Sequence, residues 1–147
     1  MELPELLPGS RAVLGFSGGV DSVFLSQWLV ERYGIRPYLL HVNYGLRPES
    51  DDDERWCRWY AAEHRFEIEV LRADPNERSG ENVQNWARRI RYHWFDERAE
   101  ALNAPYIFTA HHADDRRETF IMNALRGSGL TGMTGMNNPK ILRPLAQ

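Results

Sequence analysis

The segment Ser17-Gly18-Gly19-Val20-Asp21-Ser22 sits between the apolar run Ala12-Val13-Leu14-Gly15-Phe16 and a stretch where Val23, Phe24, Leu25, Trp28, Leu29 and Tyr33 recur at helical spacing. A buried strand, a glycine turn and a helix start therefore follow one another directly, with Gly34 placed to end the helix. That order gathers backbone N–H groups and two hydroxyls at the positive end of a helix dipole, where an anion is favoured. Glycine suits the turn because a side chain would hold the backbone away from a phosphate. A Walker loop is excluded, since the only lysine, Lys140, lies between Pro139 and Ile141. The competing reading is an ordinary Gly-Gly turn with Asp21 or Ser22 as helix cap.

The same alternation continues along the chain. Pro37–Val42 reads as a second buried strand and Asn43–Ser50 as a polar loop. A helix then opens at Ser50 with Asp51, Asp52, Asp53 and Glu54 on its positive end, and Trp56, Cys57, Tyr60 and Ala61 form its inward stripe. A third strand spans about Phe66–Leu71, and Asp74–Gly80 is a polar loop without evident structure. The longest helix runs from about Glu81 to Leu102, with Val83, Trp86, Ala87, Ile90, Trp94, Ala101 and Leu102 on one side. Pro105–Ala110 is a fourth strand, Asp114 to about Leu125 a further helix, and the tail is glycine-rich, ending on Ile141-Leu142-Arg143-Pro144-Leu145. Most of the tryptophans read as core. Alternating strands and helices predict an α/β fold, a parallel sheet with helices on both faces, whose ligands bind beyond the carboxyl ends of the strands.

At 147 residues the chain is sized for one domain, and 42% hydrophobic with 27% charged residues places it among globular proteins. No apolar run approaches the roughly 20 residues of a membrane span, and Met1-Glu2-Leu3-Pro4-Glu5 lacks the flank of a signal peptide, so a cytoplasmic protein without membrane partners is expected. A single cysteine, Cys57, excludes intramolecular disulfides and Cys-x-x-Cys metal sites; on its helix stripe it reads as core. The net charge of −3 carries no nucleic-acid signature. Every basic residue except Lys140 is arginine, the side chain that grips phosphate and carboxylate bidentately, although a biased genome gives the same usage.

Two further patterns occur in the chain. Gly15-Phe16-Ser17-Gly18-Gly19 fits a nucleophile elbow with Ser17 as nucleophile and His111 or His112 as base, yet the first strand of the chain has no earlier strand and loop to supply a second oxyanion donor. Gly127, Gly129 and Gly132 spell a dinucleotide pattern, but they follow a helix and no βαβ unit remains after them. Successive residues of an extended segment face opposite ways, so at most one of His111 and His112 faces a site, which argues against a zinc pair.

Taken together, Ser17–Ser22, His41-Val42-Asn43-Tyr44-Gly45-Leu46-Arg47, Ala87-Arg88-Arg89-Ile90-Arg91-Tyr92, Ala110-His111-His112-Ala113-Asp114-Asp115-Arg116-Arg117-Glu118-Thr119 and Arg126-Gly127-Ser128-Gly129 through Gly135-Met136 resemble, in order, the tRNA(Ile)-lysidine synthetase family of PP-loop N-type ATP pyrophosphatases. The resemblance runs from Arg11 to Leu145. It implies a Rossmann-like, adenine nucleotide alpha hydrolase-like fold and one PP-loop ATP-pyrophosphatase domain over residues 1–147. It also implies that the C-terminal tRNA-binding segments of the family are lacking, as in a fragment or a truncated variant. The implied activity is a ligase that uses ATP and Mg²⁺ to adenylate the C2 oxygen of the wobble cytidine in tRNA(Ile) with a CAU anticodon. Free L-lysine then displaces AMP through its ε-amine.

Carried residue by residue, the resemblance implies that Ser17, Gly18, Gly19, Val20, Asp21, Ser22 and His41 bind the nucleotide, with Asp21 also holding Mg²⁺. Asp114, Asp115, Glu118, Arg88 and Arg91 would bind substrate, and Asp21, Asp115, Glu118 and Arg88 would carry the catalysis. From spacing alone, Asp114, Asp115 and Glu118 are also ordinary acids of a helix start, and Arg88 with Arg91 a solvated charged face. Dimerisation, common in the family, implies a homodimer for which the sequence offers no interface. Two departures stand out: Tyr44 where the family more often has a second histidine, and Arg116 where glutamine usually follows the Asp pair. A related PP-loop tRNA thiolase is the nearest alternative activity, but such enzymes rely on paired cysteines. A nucleotide-binding domain without tRNA turnover is the alternative outside the enzymes.

Overall fold

In the computed structural model of the protein, residues 8–110 and 141–142 are described. Strands β1 (Ala12–Gly15), β2 (Tyr38–Asn43), β3 (Ile68–Arg72), β4 (Tyr106–Thr109) and β5 (Ile141–Leu142) form one sheet in the order β3-β2-β1-β4-β5, parallel at every pairing. Between them run α1 (Val20–Tyr33), α2 (Ser50–His64) and α3 (Val83–Ala101). The chain steps from central β1 outward through β2 to β3, then crosses to the other side of β1 for β4. This reversal is a topological switch point, which opens a crevice beyond the carboxyl ends of β1 and its neighbours.

Alternation along β1 divides the core. Leu14 and Phe16 pack with Leu25 and Leu29 of α1 and with Cys57, Tyr60 and Ala61 of α2, whereas Val13 packs with Tyr92, Phe95 and Ala99 of α3 on the opposite face. Helices therefore cover both faces, and each fully buried leucine or phenylalanine contributes about 1.5–3 kcal/mol. The helix ends follow local chemistry. Gly34 closes α1 at φ 65°, as its position predicts, and its N–H bonds back to Val30. Asn82 caps α3 by accepting from the Asn85 N–H at 2.8 Å.

Several expectations need correction. Trp56 is 42% exposed and so lies off the inward stripe of α2, which Cys57, Tyr60 and Ala61 carry with Glu54. Of the tryptophans only Trp86 is fully buried; Trp59 is exposed, and Trp28 and Trp94 are half-buried. The core face of α3 runs through Trp86, Tyr92, Phe95 and Ala99, while Val83 and Ala101 are exposed. Phe24 of α1 is likewise exposed. Aromatic residues occur on both sides of these helices, so apolar identity alone mis-phases the stripe. Asn43 ends β2 instead of starting a loop, the polar loop before α3 holds a 3-10 turn at Pro75–Glu77, and Ile141–Leu142 adds a strand not foreseen in the tail. The expected helix from Asp114, the two histidines and the glycine-rich tail lie outside the described residues. No helix among the described residues is long and apolar enough to cross a membrane.

Candidate active site

The turn from β1 into α1 is held in shape by its own hydroxyls. Ser22 Oγ donates to the Gly19 carbonyl at 3.0 Å and accepts from the Gly18 N–H at 3.1 Å, and Ser17 Oγ accepts from the Gly19 N–H at 3.1 Å. The two Oγ atoms stand 3.4 Å apart. Gly18 adopts φ 90°, and a β-carbon there would stand 3.0 Å from the Cys57 Sγ beneath the turn, so glycine is required for both conformation and space. Gly19 is the N-cap of α1, and no side chain caps the helix. Asp21 and Ser22 therefore lie in its first turn, which removes the capping explanation for either. Val20, beside them, is 84% exposed. An uncapped helix start behind a prefolded glycine turn is suited to a phosphate.

Beyond this turn lies a cleft of about 610 Å³, lined by Phe16, Ser17 and Ser22 from the first βα unit, His41 to Asn43 from β2 with Tyr44 just after it, Arg91 and Phe95 from α3, and Thr109 from β4 with Ala110 just after it. Its position matches the crevice the sheet order creates. His41 is buried at its wall, and its Nδ1 donates to the Phe16 carbonyl at 2.9 Å. That bond commits Nδ1 as a donor and leaves Nε2 as the ring nitrogen for another partner. Cys57 Sγ lies 3.6 Å from the same Nδ1, and burial pushes its thiol up to about 12. Cys57 is core, as expected. Thr109 Oγ1 is buried without a hydrogen-bond partner among the described residues.

The loop after β2 is braced by Glu54, which in sequence is only one of the acids of a helix start. The Asn43 side-chain amide donates to Asp51 and to Glu54, each at 2.9 Å, while its oxygen accepts from the Gly45 N–H at 3.0 Å. Arg72 grips Glu54 bidentately at 2.9 and 2.7 Å, and Arg58 adds a third guanidinium contact at 3.0 Å. Glu54 is 2% exposed, and the Arg72 hydrogen bonds, opposed by burial and helped by Asn43 and Arg58, hold its carboxyl down at about 2. Asn43, Tyr44 and Arg47 line the cleft through this bracing, and Arg47 is itself paired with Asp53 at 2.7 Å.

Of the residues singled out from the sequence, the structure thus brings Ser17, Ser22, His41 and Arg91 to one cleft, while Gly18 and Gly19 form the adjoining turn and Val20 and Asp21 open α1. Arg88 is exposed on α3 and does not line the cleft among the described residues. Asp114, Asp115 and Glu118 lie outside the described residues. Asn43 and Thr109 are not among the residues singled out from the sequence, and Tyr44 stands there only as a departure from the family pattern. The signal for Asn43 and Tyr44 is their place at the carboxyl end of a buried strand, where ligands bind.

A family model described as the PP-loop domain matches residues 2–147. The chain is 40% identical to a tRNA(Ile)-lysidine synthase of Parabacteroides distasonis, over 99% of this chain and 34% of that protein. It is 41% identical to one of Porphyromonas gingivalis, over 93% and 32%. The chain thus spans about a third of the length of the curated relatives it matches. Among solved structures it is similar to the U34-tRNA thiolase NcsA of Methanococcus maripaludis, with a TM-score of 0.63 and 17% identity over 73% of this chain and 40% of that one. It is also similar to the NH3-dependent NAD synthetase of Campylobacter jejuni, with a TM-score of 0.55 and 17% identity over 74% and 49%. These last two likenesses concern the fold.

Proposed function

The chain belongs to the PP-loop domain family, and from that premise we propose that it is the ATP-using domain of a cytoplasmic tRNA(Ile)-lysidine synthetase. The observation that carries the nucleotide half of this reading is the prefolded turn of Ser17, Gly18, Gly19 and Ser22 opening from an uncapped helix into the cleft. The lysidine half is supported by identity of 40–41% to the two relatives over nearly the whole chain.

In this reading Ser17, Gly18, Gly19, Val20 and Ser22 cradle the phosphates of ATP, and His41 offers its Nε2 to the nucleotide. Asp21, in the first turn of α1, fits Mg²⁺, which takes one or two carboxylates together with phosphate oxygens. Bound there, the ion neutralises phosphate charge. Arg91 meets an anionic group, and Arg88 lies one turn earlier on α3. Asp114, Asp115 and Glu118 take the lysine ammonium.

The chemistry runs in two displacements. The C2 oxygen of the wobble cytidine in the CAU anticodon attacks the α-phosphorus, and pyrophosphate leaves. The ε-amine of lysine then adds at C2, loses a proton, and expels AMP. A carbonyl oxygen is a poor leaving group and AMP a good one, so the second step depends chiefly on orienting the amine. The test supplies the protein with Mg²⁺, ATP, labelled lysine and unmodified tRNA(Ile). Label is expected in acid-precipitable RNA, and Asp115→Ala abolishes it. Tight ATP binding with no label in RNA would overturn the ligase reading and leave a nucleotide-binding domain.

A further inference from the structure

Arg91 reaches the cleft from α3, and a neutral hydroxyl holds it there. Its Nη1 donates to the Tyr44 hydroxyl at 3.1 Å, and that hydroxyl donates in turn to the Ala87 carbonyl, one turn earlier on the same helix, at 3.3 Å. The Tyr44 ring packs edge-on against buried Trp86 with centroids 6.0 Å apart. The guanidinium carbon of Arg91 lies 5.1 Å from the centroid of the Tyr92 ring. One aromatic ring and one hydroxyl, the latter steadied by Trp86 behind its own ring, therefore restrict a side chain that would otherwise sample many rotamers. Burial raises the phenol's pKa despite the opposing guanidinium, so at neutral pH the hydroxyl keeps the proton it gives to Ala87.

The other arginine of the cleft differs in kind. Arg47 spends its charge on Asp53 at 2.7 Å, whereas no carboxylate pairs with Arg91 among the described residues. A cation fixed by a neutral partner keeps its full attraction for an incoming anion. We propose that Tyr44 is a positioning residue, which sets Arg91 to receive a phosphate oxyanion of the nucleotide in the cleft. The proposal rests on the ATP-binding reading above and adds a determinant of how tightly the charged part of that ligand is held.

The test compares ATP affinity with the inhibition constant of adenosine against labelled ATP, for the wild type, Tyr44→Phe, Tyr44→His, Arg91→Ala and the Tyr44→Phe/Arg91→Ala double variant, each with its melting temperature. Tyr44→Phe is expected to weaken ATP about 5–10-fold, the scale of one ordinary lost hydrogen bond, and to leave adenosine unchanged. Tyr44→His, whose neutral ring nitrogen can accept from Arg91, recovers most of the loss. In the Arg91→Ala background Tyr44→Phe adds nothing. If Tyr44→Phe melts early, the remaining pair decides: Tyr44→His must bind ATP more tightly than Arg91→Ala does. The proposal is overturned if Tyr44→Phe leaves ATP affinity intact, weakens adenosine equally, or still acts without Arg91. A wild-type protein that binds no ATP would instead overturn the underlying nucleotide reading.

Discussion

A β-carbon on Gly18 would stand 3.0 Å from the Sγ of Cys57, so the glycine turn rests directly on the helix packed beneath it. The turn is consequently part of the core's upper surface, and its shape depends on α2 as well as on its own hydrogen bonds.

Gly18→Ala places a side chain at φ 90° and against that sulfur. It is expected to cost about 1–3 kcal/mol of stability and to abolish detectable ATP binding. Gly19→Ala is the contrast, because its β-carbon would meet only the Ser17 hydroxyl at 3.3 Å and its φ of −75° is ordinary. Denaturant titration should show less than about 1 kcal/mol of loss there. Equal losses at the two positions would contradict this geometry.

The buried Cys57 thiol, pushed up to about 12, holds almost no thiolate at pH 8. Alkylation by iodoacetamide should be at least about a thousandfold slower than for a free thiol and should accelerate only on unfolding. Rapid labelling of the folded protein would show that the sulfur beneath the turn is accessible.

Glu54 sets a pH limit. Its carboxyl falls from 4.5 to about 2 on folding, so its contribution is complete above the unfolded value and is lost as pH drops from about 4.5 toward 2. The loss is on the order of 3 kcal/mol. Glu54→Gln should destabilise the protein at pH 7 and remove this component of acid sensitivity. Parallel stability curves for the two proteins from pH 7 to pH 2.5 would refute the assignment.

Gly15 and Phe95 form a second pair. A β-carbon on Gly15 would lie 2.6 Å from the Phe95 ring, so Gly15→Ala must displace that ring from the α3 side of the core. A loss of about 1–3 kcal/mol is expected. Phe95→Leu in the same chain should recover part of it, giving a non-additive double-mutant cycle. Strict additivity would mean that the two do not meet.

Much of this architecture is legible in the sequence because its signals are local. The apolar run of β1, the glycine turn, Gly34 at the end of α1 and the acids opening α2 each report on neighbouring residues. What was missed depends on distant ones. Glu54 is a helix-start acid until Arg72, eighteen residues later, is folded beside it on β3. Tyr44 gains its role from Ala87 and Arg91 on α3. Trp56 and Val83 read as core in sequence because they are apolar, yet the helices bury other faces. Ile141–Leu142 is too short to read as a strand without β4 beside it.

The most direct test of the account is to identify what becomes of ATP. With α-labelled ATP, Mg²⁺, lysine and unmodified tRNA(Ile), the protein should release AMP and pyrophosphate in equal amounts, matched by lysine entering the RNA and dependent on both lysine and tRNA. Release of ADP and phosphate, or no binding of ATP at all, would contradict the assignment of the Ser17–Ser22 turn as the site where ATP is held for cleavage at its α-phosphate.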